Sequence, residues 1–564
     1  MKLLVKTSVF AAMTLCFEIG AANAIDVNAV PSTDGTDSVV GEAVSPRLCA
    51  TTRRIPGRPR RAIPCWEPGS ASLDQSDVGS RTMTSRWDVV RNVGVTSDLR
   101  RPWKGHNPLK GDIPFKGDNR FFNVQLTSAT TVTPERSSST HVTSVRQRTA
   151  ARISLYKGQT VWKPPDWEFR LSPVVHVAAW DGDLQEGRSQ RDAHLTMTSA
   201  FYDRELRVVS ERYDFDRIRV GLQPFTTDPR GLLLQGPVAG IRWYGNRDNN
   251  RWQYNVGVFA QFEHNSDVGL VDLDDGVRGN VLGVVNLYRQ DFITPGLTGE
   301  LLWLHDRHER ITHRLDQSGR QERPVRLYGG GEVGAYRVTY LGGGLDGHIG
   351  RLNLTSLIAL SRGKVVVDAV EQTVHGHFGV LEASMNVGWW RPRLTMLNAS
   401  GDDDIDDGRA TGFDSVSSGA LLSAMTHSAW RKLTIRQRDQ ILSGRDNLLP
   451  TLQGSSLSTF TNPGLRMAGI GADGDISPTL VASFSINQLM FDQTGALRGQ
   501  DGGDVDREIG TDVSLAVTYR PHFNQQFLIS GAVGVLRLGG GARQLIDQQG
   551  EHPGYATFRV TLRY

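Results

Sequence analysis

The last ten residues of the chain, YATFRVTLRY from Tyr555 to Tyr564, alternate apolar and polar side chains up to the C-terminus. Successive side chains of a β-strand point to opposite faces. One face would therefore carry Ala556, Phe558, Val560, Leu562 and Tyr564, and the other Thr557, Arg559, Thr561 and Arg563. A soluble strand can alternate in the same way, so the environment of this strand has to be inferred from the rest of the chain.

The first 24 residues have the features of a secretory signal peptide. Lys2 and Lys6 give a positively charged start, Thr7 to Gly20 is a short and mostly apolar stretch, and Ala22-Asn23-Ala24 forms an A-x-A cleavage site. The apolar stretch is interrupted by Glu18 and is shorter than the roughly 20 residues of a membrane-spanning helix. We therefore expect export from the cytoplasm and removal of residues 1–24.

The remaining composition is compatible with a membrane-spanning β-barrel. No later run approaches the roughly 18 uncharged apolar residues of a spanning helix, and the mean hydropathy is −0.33. A barrel tolerates such values because every second residue of its strands faces the polar interior. With 61 Gly and 24 Pro, turn signals recur throughout residues 119–564, which favours one large barrel over several soluble domains.

The spacing of the segments predicts about 18 strands, from Arg120–Val132 to Tyr555–Tyr564. Short connections such as Asn246–Asn250 and Gly342–Gly347 alternate with long ones such as Gly401–Gly464. Short periplasmic turns and long external loops are typical of outer-membrane barrels. We therefore predict an all-β fold, a transmembrane up-and-down antiparallel barrel in the bacterial outer membrane, with an even strand number and both termini in the periplasm.

Residues 25–118 show little periodicity and predict a poorly ordered periplasmic extension before the barrel domain at 119–564. Cys49 and Cys65 flank an Arg- and Pro-rich segment in this extension. In an oxidising periplasm they are candidates for a disulfide, and two free thiols are the alternative. Beside the short connections, aromatic residues would form an interfacial girdle: Trp167, Tyr244, Trp252, Trp389, Trp390, Tyr519 and Phe523.

The alternation of side chains between the two faces of each strand, here called parity, predicts which charged residues line the lumen. Where the apolar face meets lipid, the opposite face carries Arg148, Arg152, Arg217, Arg219, Arg242, Arg351, Arg393, Arg520, Arg559 and Arg563. Acidic residues concentrate in the loops and are fewer among the inward positions, although Asp512 is one of them. We therefore expect a basic lumen that favours anionic solutes. A wall of arginines paired with acids, with only mild selectivity, is the alternative.

The loop sequence ASGDDDIDDGRATGFDSV, from Ala399 to Val416, is a weak calcium candidate. Asp402, Asp404 and Asp406 follow the spacing of a calcium loop only loosely, and no glutamate stands at the closing position. A solvated acidic loop is the preferred interpretation. We expect no metal and no cofactor.

Several stretches resemble a family of largely uncharacterised, porin-like bacterial outer-membrane barrels: NPLKGDIPFKGDNRFFN (Asn107 to Asn123), RVGLQPFTTDPRG (Arg219 to Gly231), NRWQYNVGVF (Asn250 to Phe259), NLYRQDF (Asn286 to Phe292) and DGHIGRLNLT (Asp346 to Thr355). The acidic loop and the strand number are also similar to alginate-export outer-membrane proteins. The first resemblance implies a barrel. The second implies a basic pore for an acidic polysaccharide, and the C-terminal strand resembles the signal read by the outer-membrane assembly machinery.

The sequence also leaves alternatives to a channel. His305-Asp306 with His308, and His375 with His377, are candidate pairs for a barrel enzyme, but no serine in a matching motif accompanies them. A TonB-dependent-like receptor would need a folded plug before the barrel. We expect a non-enzymatic channel, monomeric or trimeric, with an anionic solute or polysaccharide, outer-membrane lipid and lipopolysaccharide as partners, and with no nucleic acid.

Overall fold

The computed structural model describes residues 107–117, 119–137, 140–158, 164–182, 191–212, 214–264, 271–309, 314–315, 321–323, 333–367, 369–417, 422–433, 435–437, 440–443, 449, 460–497, 503–521, 526–546 and 552–564. The signal peptide, most of the N-terminal extension, Cys49 and Cys65 lie outside these residues. No helix in the described part of the chain is long and apolar enough to cross a membrane.

Eighteen antiparallel strands form a closed barrel, as the sequence predicts. They are β1 Arg120–Ser137, β2 Thr140–Lys157, β3 Trp167–Gly182, β4 Arg191–Val208, β5 Phe215–Thr226, β6 Gln235–Arg247, β7 Trp252–His264, β8 Asn280–Arg289, β9 Leu297–His308, β10 Val333–Ile349, β11 Leu352–Val367, β12 Val370–Met385, β13 Trp390–Ala399, β14 Leu465–Ser477, β15 Leu480–Met490, β16 Glu508–Tyr519, β17 Phe527–Leu538 and β18 Gly554–Arg563. Each pairs with its neighbours in the chain, and β1 pairs with β18, which closes the sheet.

The loops carry the shorter elements. The short strands of the loops are Val271–Val277, Arg314–Leu315, Gln321–Arg323, Arg409–Ala410, Ile435–Gln437 and Gln440–Ser443. A 3₁₀ turn spans Ser423–Met425, and two short helices are α1 Ala429–Lys432 and α2 Gly540–Leu545. We call the barrel end that holds the start of β1 and the end of β18 the terminal end, and the opposite end the loop end.

The glycine-rich stretch Gly342–Gly347, predicted as a turn, lies inside β10. The turn is Gly350–Arg351, where Gly350 has a positive φ of 61°. Glycine occurs in the strand because neighbouring groups come close to it: a Cβ on Gly344 would lie 2.4 Å from the Ser356 carbonyl oxygen. The prediction was wrong because glycine marks both turns and close approaches within a sheet.

The predicted alternation of short and long connections is also not strict. At the loop end, β1 and β2 are joined by 138–139, and β11 and β12 by 368–369. The sequence had indicated a longer link between Ser361 and Val374. In the structure these residues continue the β11–β12 ladder as far as Val367 and Val370.

Large apolar side chains point outward from the strands. On β18, Phe558 and Leu562 are 52% and 38% exposed, and Arg559 and Arg563 lie on the opposite, inner face. The girdle prediction needs one correction, because Trp243 faces outward and Tyr244 faces inward, where its hydroxyl donates to Asp203. Phe523 lies outside the described residues. A closed barrel with an apolar exterior is the architecture of bacterial outer-membrane proteins.

Residues 107–117 lie beside the seam of the barrel at the terminal end. Lys110 bridges to Asn123 of β1, beyond the point at which β18 ends. Its Nζ donates to the Val124 carbonyl oxygen and lies 3.9 Å from the centre of the Tyr564 ring. The segment therefore continues the pairing of the β1 edge past the C-terminus.

An apolar cluster fills part of the barrel interior. Its loop residues include Leu232, Leu233, Leu234, Phe413, Val416, Leu422, Met425, Trp430, Leu433, Phe460, Phe491 and Leu497, all buried. They pack on inward side chains of the wall such as Leu304, Tyr340, Phe378, Leu489 and Leu536. Among the described residues, this loop core takes wall residues from β5 to β18 and none from β1 to β4. The loop core therefore packs on β5 to β18, and on β4 His194 and Thr196 contact the Val271 carbonyl oxygen of another loop.

Candidate functional site

Five arginines gather on the inner face of β2 and β18. We call this surface the basic wall; its residues are Arg146, Arg148, Arg152, Arg559 and Arg563. The register places Arg559 and Arg146 on either side of Thr131, and Arg563 beside Thr127 on β1. All but Arg146 are exposed although they point inward, which shows that open space adjoins them.

Short side chains on β1 separate these arginines. Arg148 is opposite Ala129, and the Arg559 Nε donates to the Thr131 hydroxyl over 3.0 Å. Among the described residues, no carboxylate lies within 4 Å of Arg148, Arg152 or Arg559. Arg148, Arg152 and Arg559 therefore present guanidinium groups whose charge is not compensated by a neighbouring acid among the described residues.

The predicted lumen arginines of β5 and β6 have a different environment. Arg217 and Arg219 donate to opposite oxygens of Asp203, over 2.6 Å and 2.7 Å. Asp203 is 1% exposed. Arg242 donates to Asn255 over 2.7 Å and its guanidinium lies over the Tyr244 ring. These groups face inward, as predicted, but they are engaged within the wall.

The other three predicted residues lie elsewhere. Arg393 on β13 is buried, pairs with Asp473 over 2.7 Å and donates to Ser485. Arg351 is exposed in the turn between β10 and β11, and Arg520 follows the end of β16. Arg393 faces inward, as predicted, whereas parity alone had placed Arg351 and Arg520 in the lumen because it does not show where a strand ends.

A cavity of about 290 Å³ lies against the inner face of β10 to β14. It is lined by Arg230, Asp346, Gly347, His348, Asn353, Thr355, Glu382, Ser384, Arg391, Arg393, Ser423 and Asp473. The sequence did not indicate Arg230, which comes from the loop between β5 and β6 and donates to Thr355 over 2.8 Å. Both signs of charge meet in this cavity.

Inward acids are more frequent than the sequence suggested. Inner faces carry Asp203, Glu300, Asp306, Asp346, Glu382, Asp473 and Asp512. Several of them bind loop backbone or arginine, so they are buried and paired and do not stand out in the sequence. The inner surface is therefore not uniformly basic: its exposed cations concentrate on the basic wall.

The segment 422–433 is held along the wall by four strands. Glu382 accepts from the Ser423 backbone and hydroxyl, and the Asn487 amide donates to the Ala424 carbonyl. Asp512 accepts from the Trp430 backbone over 2.9 Å. The Tyr555 hydroxyl donates to the His427 carbonyl over 2.9 Å. These bonds hold the segment against the inner faces of β12, β15, β16 and β18.

The acidic loop does not form a metal site in the described residues. Asp402 is buried and its Oδ1 accepts from the Thr411 hydroxyl over 2.9 Å. Asp404 and Asp406 are exposed, and the Asp404 side chain accepts from the Asp406 backbone. The carboxylates therefore serve loop structure, and the calcium candidate has no grouped ligands here.

The candidate catalytic histidines are not brought together. His305 faces outward, donates to or accepts from Thr339, and stacks on Trp303, whereas Asp306 and His308 face inward. His375 and His377 are both exposed on the outer face of β12. Neither set forms a histidine–acid–serine arrangement among the described residues.

No protein-family model matches the chain. No curated protein sequence matches it. Similar solved structures include the outer membrane protein OpdK of Pseudomonas aeruginosa, at 11% identity and a TM-score of 0.45, covering 79% of this chain and 99% of that chain. Another is OccAB1 of Acinetobacter baumannii, at 10% identity and a TM-score of 0.45, covering 79% and 96%.

Proposed function

We propose that the protein is a passive outer-membrane channel whose passage follows the basic wall and favours anionic solutes. The asymmetry of the interior carries this proposal. The loop core packs against β5 to β18, while the inner faces of β1 to β4 lie outside it. Arg148, Arg152 and Arg559 remain exposed on the inner faces of β2 and β18.

The electrostatics of such a passage favour negative charge. A channel with low-dielectric walls focuses the field of fixed charges and concentrates ions of the opposite sign. Guanidinium groups bind carboxylate and phosphate through paired donors. On β18, Arg559 and Arg563 are four residues apart, or about 13 Å along a strand, so an anion can pass from one to the next.

The loop core supports small solutes over a wide polymer passage. Phe413 and Trp430 are buried inside the barrel, and segment 422–433 is bound to the wall. These groups narrow the space that faces the basic wall. An acidic polysaccharide is therefore the second candidate, and it requires that an extended chain fit the same passage.

The test is ion selectivity in planar bilayers under a salt gradient. The wild type should prefer anions, and Arg148→Gln, Arg152→Gln and Arg559→Gln together should lower the anion-to-cation permeability ratio by about tenfold. Arg204→Gln, which removes an outward-facing arginine of β4, is the matched control and should leave the ratio unchanged. Cation preference in the wild type would contradict the proposal.

A second measurement separates the two solute classes. Short oligouronates are added to one side of the bilayer and the current is recorded. The polysaccharide would be favoured if the oligouronates block the current, if the triple variant weakens this block, and if longer oligomers are transported. Passage of monomeric anions with exclusion of the oligomers would favour small solutes.

A further inference from the structure

Two rows of basic side chains lie on the outer face of β9 to β12, near the loop end. The register aligns Arg307 with Arg337, and Arg337 with Lys364, in the upper row. The lower row aligns His305 with Thr339, Thr339 with Arg362, and Arg362 with His375. We call this surface the outer basic patch. It lies on the opposite side of the sheet from the lumen.

The upper row places like charges side by side. Directly opposed residues of neighbouring strands have Cβ atoms roughly 5 Å apart, and like charges at that spacing are destabilising. The ends of the row are relieved by acids, since Arg307 pairs with Glu309 and Lys364 pairs with Glu371 over 2.5 Å. Arg337, between them, has no acidic side chain within 4 Å in the part of the chain that the structure describes.

The lower row adds a second exposed guanidinium. Arg362 donates through one terminal nitrogen to the backbone carbonyls of Ser361 and Gly376. This anchors the side chain on the sheet and leaves its other terminal nitrogen available. Beside it, the His305 ring lies parallel to the Trp303 ring at 6.0 Å. The two rows together present a fixed cationic surface.

The patch lies where the apolar exterior ends. On β11, the outward side chains from Leu352 to Leu360 are mostly apolar, and Ile358 is 66% exposed. These eight steps cover about 26 Å of strand, or about 20 Å across a membrane at a tilt of about 40°. Arg362 and Lys364 follow directly, so they reach the headgroup level of the leaflet at the loop end.

We propose that the outer basic patch binds the phosphorylated headgroup of a glycolipid in the outer leaflet. Arg337 and Arg362 would hold phosphate through their guanidinium forks, and the acyl chains would lie on Leu341, Ile358 and Leu360 below. The lipid supplies the negative charge that Arg337 lacks among the described residues. This inference rests on the membrane location of the barrel and is independent of what passes through the lumen.

The test measures lipid binding to the purified full-length barrel by native mass spectrometry and by titration in nanodiscs. The probes are bisphosphorylated lipid A, the same lipid after dephosphorylation, phosphatidylglycerol and inorganic phosphate. The wild type should bind bisphosphorylated lipid A at least tenfold more tightly than the dephosphorylated form. Arg337→Gln with Arg362→Gln should weaken that binding by about 30-fold at low salt, and added salt should reduce the difference.

Two control variants make the result specific. Arg204→Gln with Arg289→Gln removes two outward arginines near the terminal end and should leave lipid A binding unchanged. Arg337→Lys with Arg362→Lys keeps both charges and should retain most of the affinity. Melting in detergent and single-channel conductance, measured for each variant, show that the barrel is intact.

Several outcomes would overturn the proposal. One is equal binding of phosphorylated and dephosphorylated lipid A by the wild type. Others are unchanged binding after the two glutamine substitutions, equal binding of phosphatidylglycerol, or saturation of the patch by inorganic phosphate alone. A failure of anion selectivity in the channel assay would leave all of these measurements interpretable.

Discussion

The two sides of the barrel interior are built from the same alternating strands but have different contents. On β18, β1 and β2, exposed arginines stand between short side chains such as Ala129 and Thr131. From β5 to β17, inward Leu, Val, Tyr and Phe side chains pack against the loop core. The comparison shows that inward parity does not define a pore lining. An inward residue lines the passage only where no loop or partner side chain occupies it.

The largest expected effect comes from opening the covered side. Phe413 is fully buried and its ring stacks on Phe378 at 5.2 Å. Phe413→Ala should destabilise loop docking by about 3–5 kcal/mol, which should raise the single-channel conductance and expose residues 400–416 to protease. Barrel melting should change little, because the strand ladders are not altered.

Phe558→Ala is the matched control for this change. It removes a phenylalanine of the outer face that is 52% exposed, so conductance and protease sensitivity of the loop should remain at wild-type values. Unchanged conductance in Phe413→Ala would show that the loop core does not restrict the passage.

A smaller effect is expected from removing the acid that neutralises the arginines of β5. Asp203→Asn removes the carboxylate that accepts from both Arg217 and Arg219. Loss of one partner of a buried ion pair costs about 3 kcal/mol, so unfolding in urea should occur at lower denaturant concentration. The anion-to-cation permeability ratio should rise at the same time, because Arg219 loses its acidic partner and, among the described acids, Arg217 keeps only Glu205, at 3.9 Å.

Arg217→Gln with Arg219→Gln provides the comparison for that experiment. It removes the charges that Asp203 neutralises, so the anion preference should fall far less than in the basic-wall triple variant. An equal fall in the two variants would show that the paired arginines of β5 contribute to selectivity as much as the exposed ones.

The smallest expected effect is a pH dependence of loop docking. Burial raises the pKa of Asp402 from 3.8 to about 7, despite hydrogen bonds from Thr411 that lower it. The docked loop therefore binds this proton more tightly than the undocked loop does. Docking should weaken as the pH rises from about 4 to about 7 and then stay constant.

Hydrogen exchange of residues 400–416 at pH 5 and pH 8 measures this effect. Exchange, corrected for its intrinsic pH dependence, should be faster at pH 8 in the wild type. Asp402→Asn keeps the shape of the side chain and removes its titration, so most of the difference between the two pH values should disappear. Equal corrected exchange in the wild type would refute the prediction.

Much of the barrel was predictable because strand periodicity is local. The terminal stretch Tyr555 to Tyr564 already separates Phe558 and Leu562 from Arg559 and Arg563, and the structure has the same two faces. The boundaries between strands and turns were harder to predict where one residue type is common in both. Gly342–Gly347 belongs to a strand and not to a turn, because close backbone approach and turns both favour glycine.

The pairing of the lumen charges could not be predicted in the same way. Arg219 is neutralised because the register sets β5 against Asp203 on β4, sixteen residues earlier in the chain. Register depends on which strands are neighbours and where each begins. The sequence of one strand shows on which face Arg219 lies, but it does not show which residue of the neighbouring strand pairs with it.

The sequence by itself determined the alternating faces, the strand number and the position of the basic residues on those faces, because a period of two is set by backbone geometry. Only the tertiary structure decided which inward arginines are exposed, since that depends on the register and on loops that fold back over the wall. The same holds for the outer basic patch. Arg307, Arg337 and Lys364 are far apart in the chain, and they form one row only because three strands pair in one register.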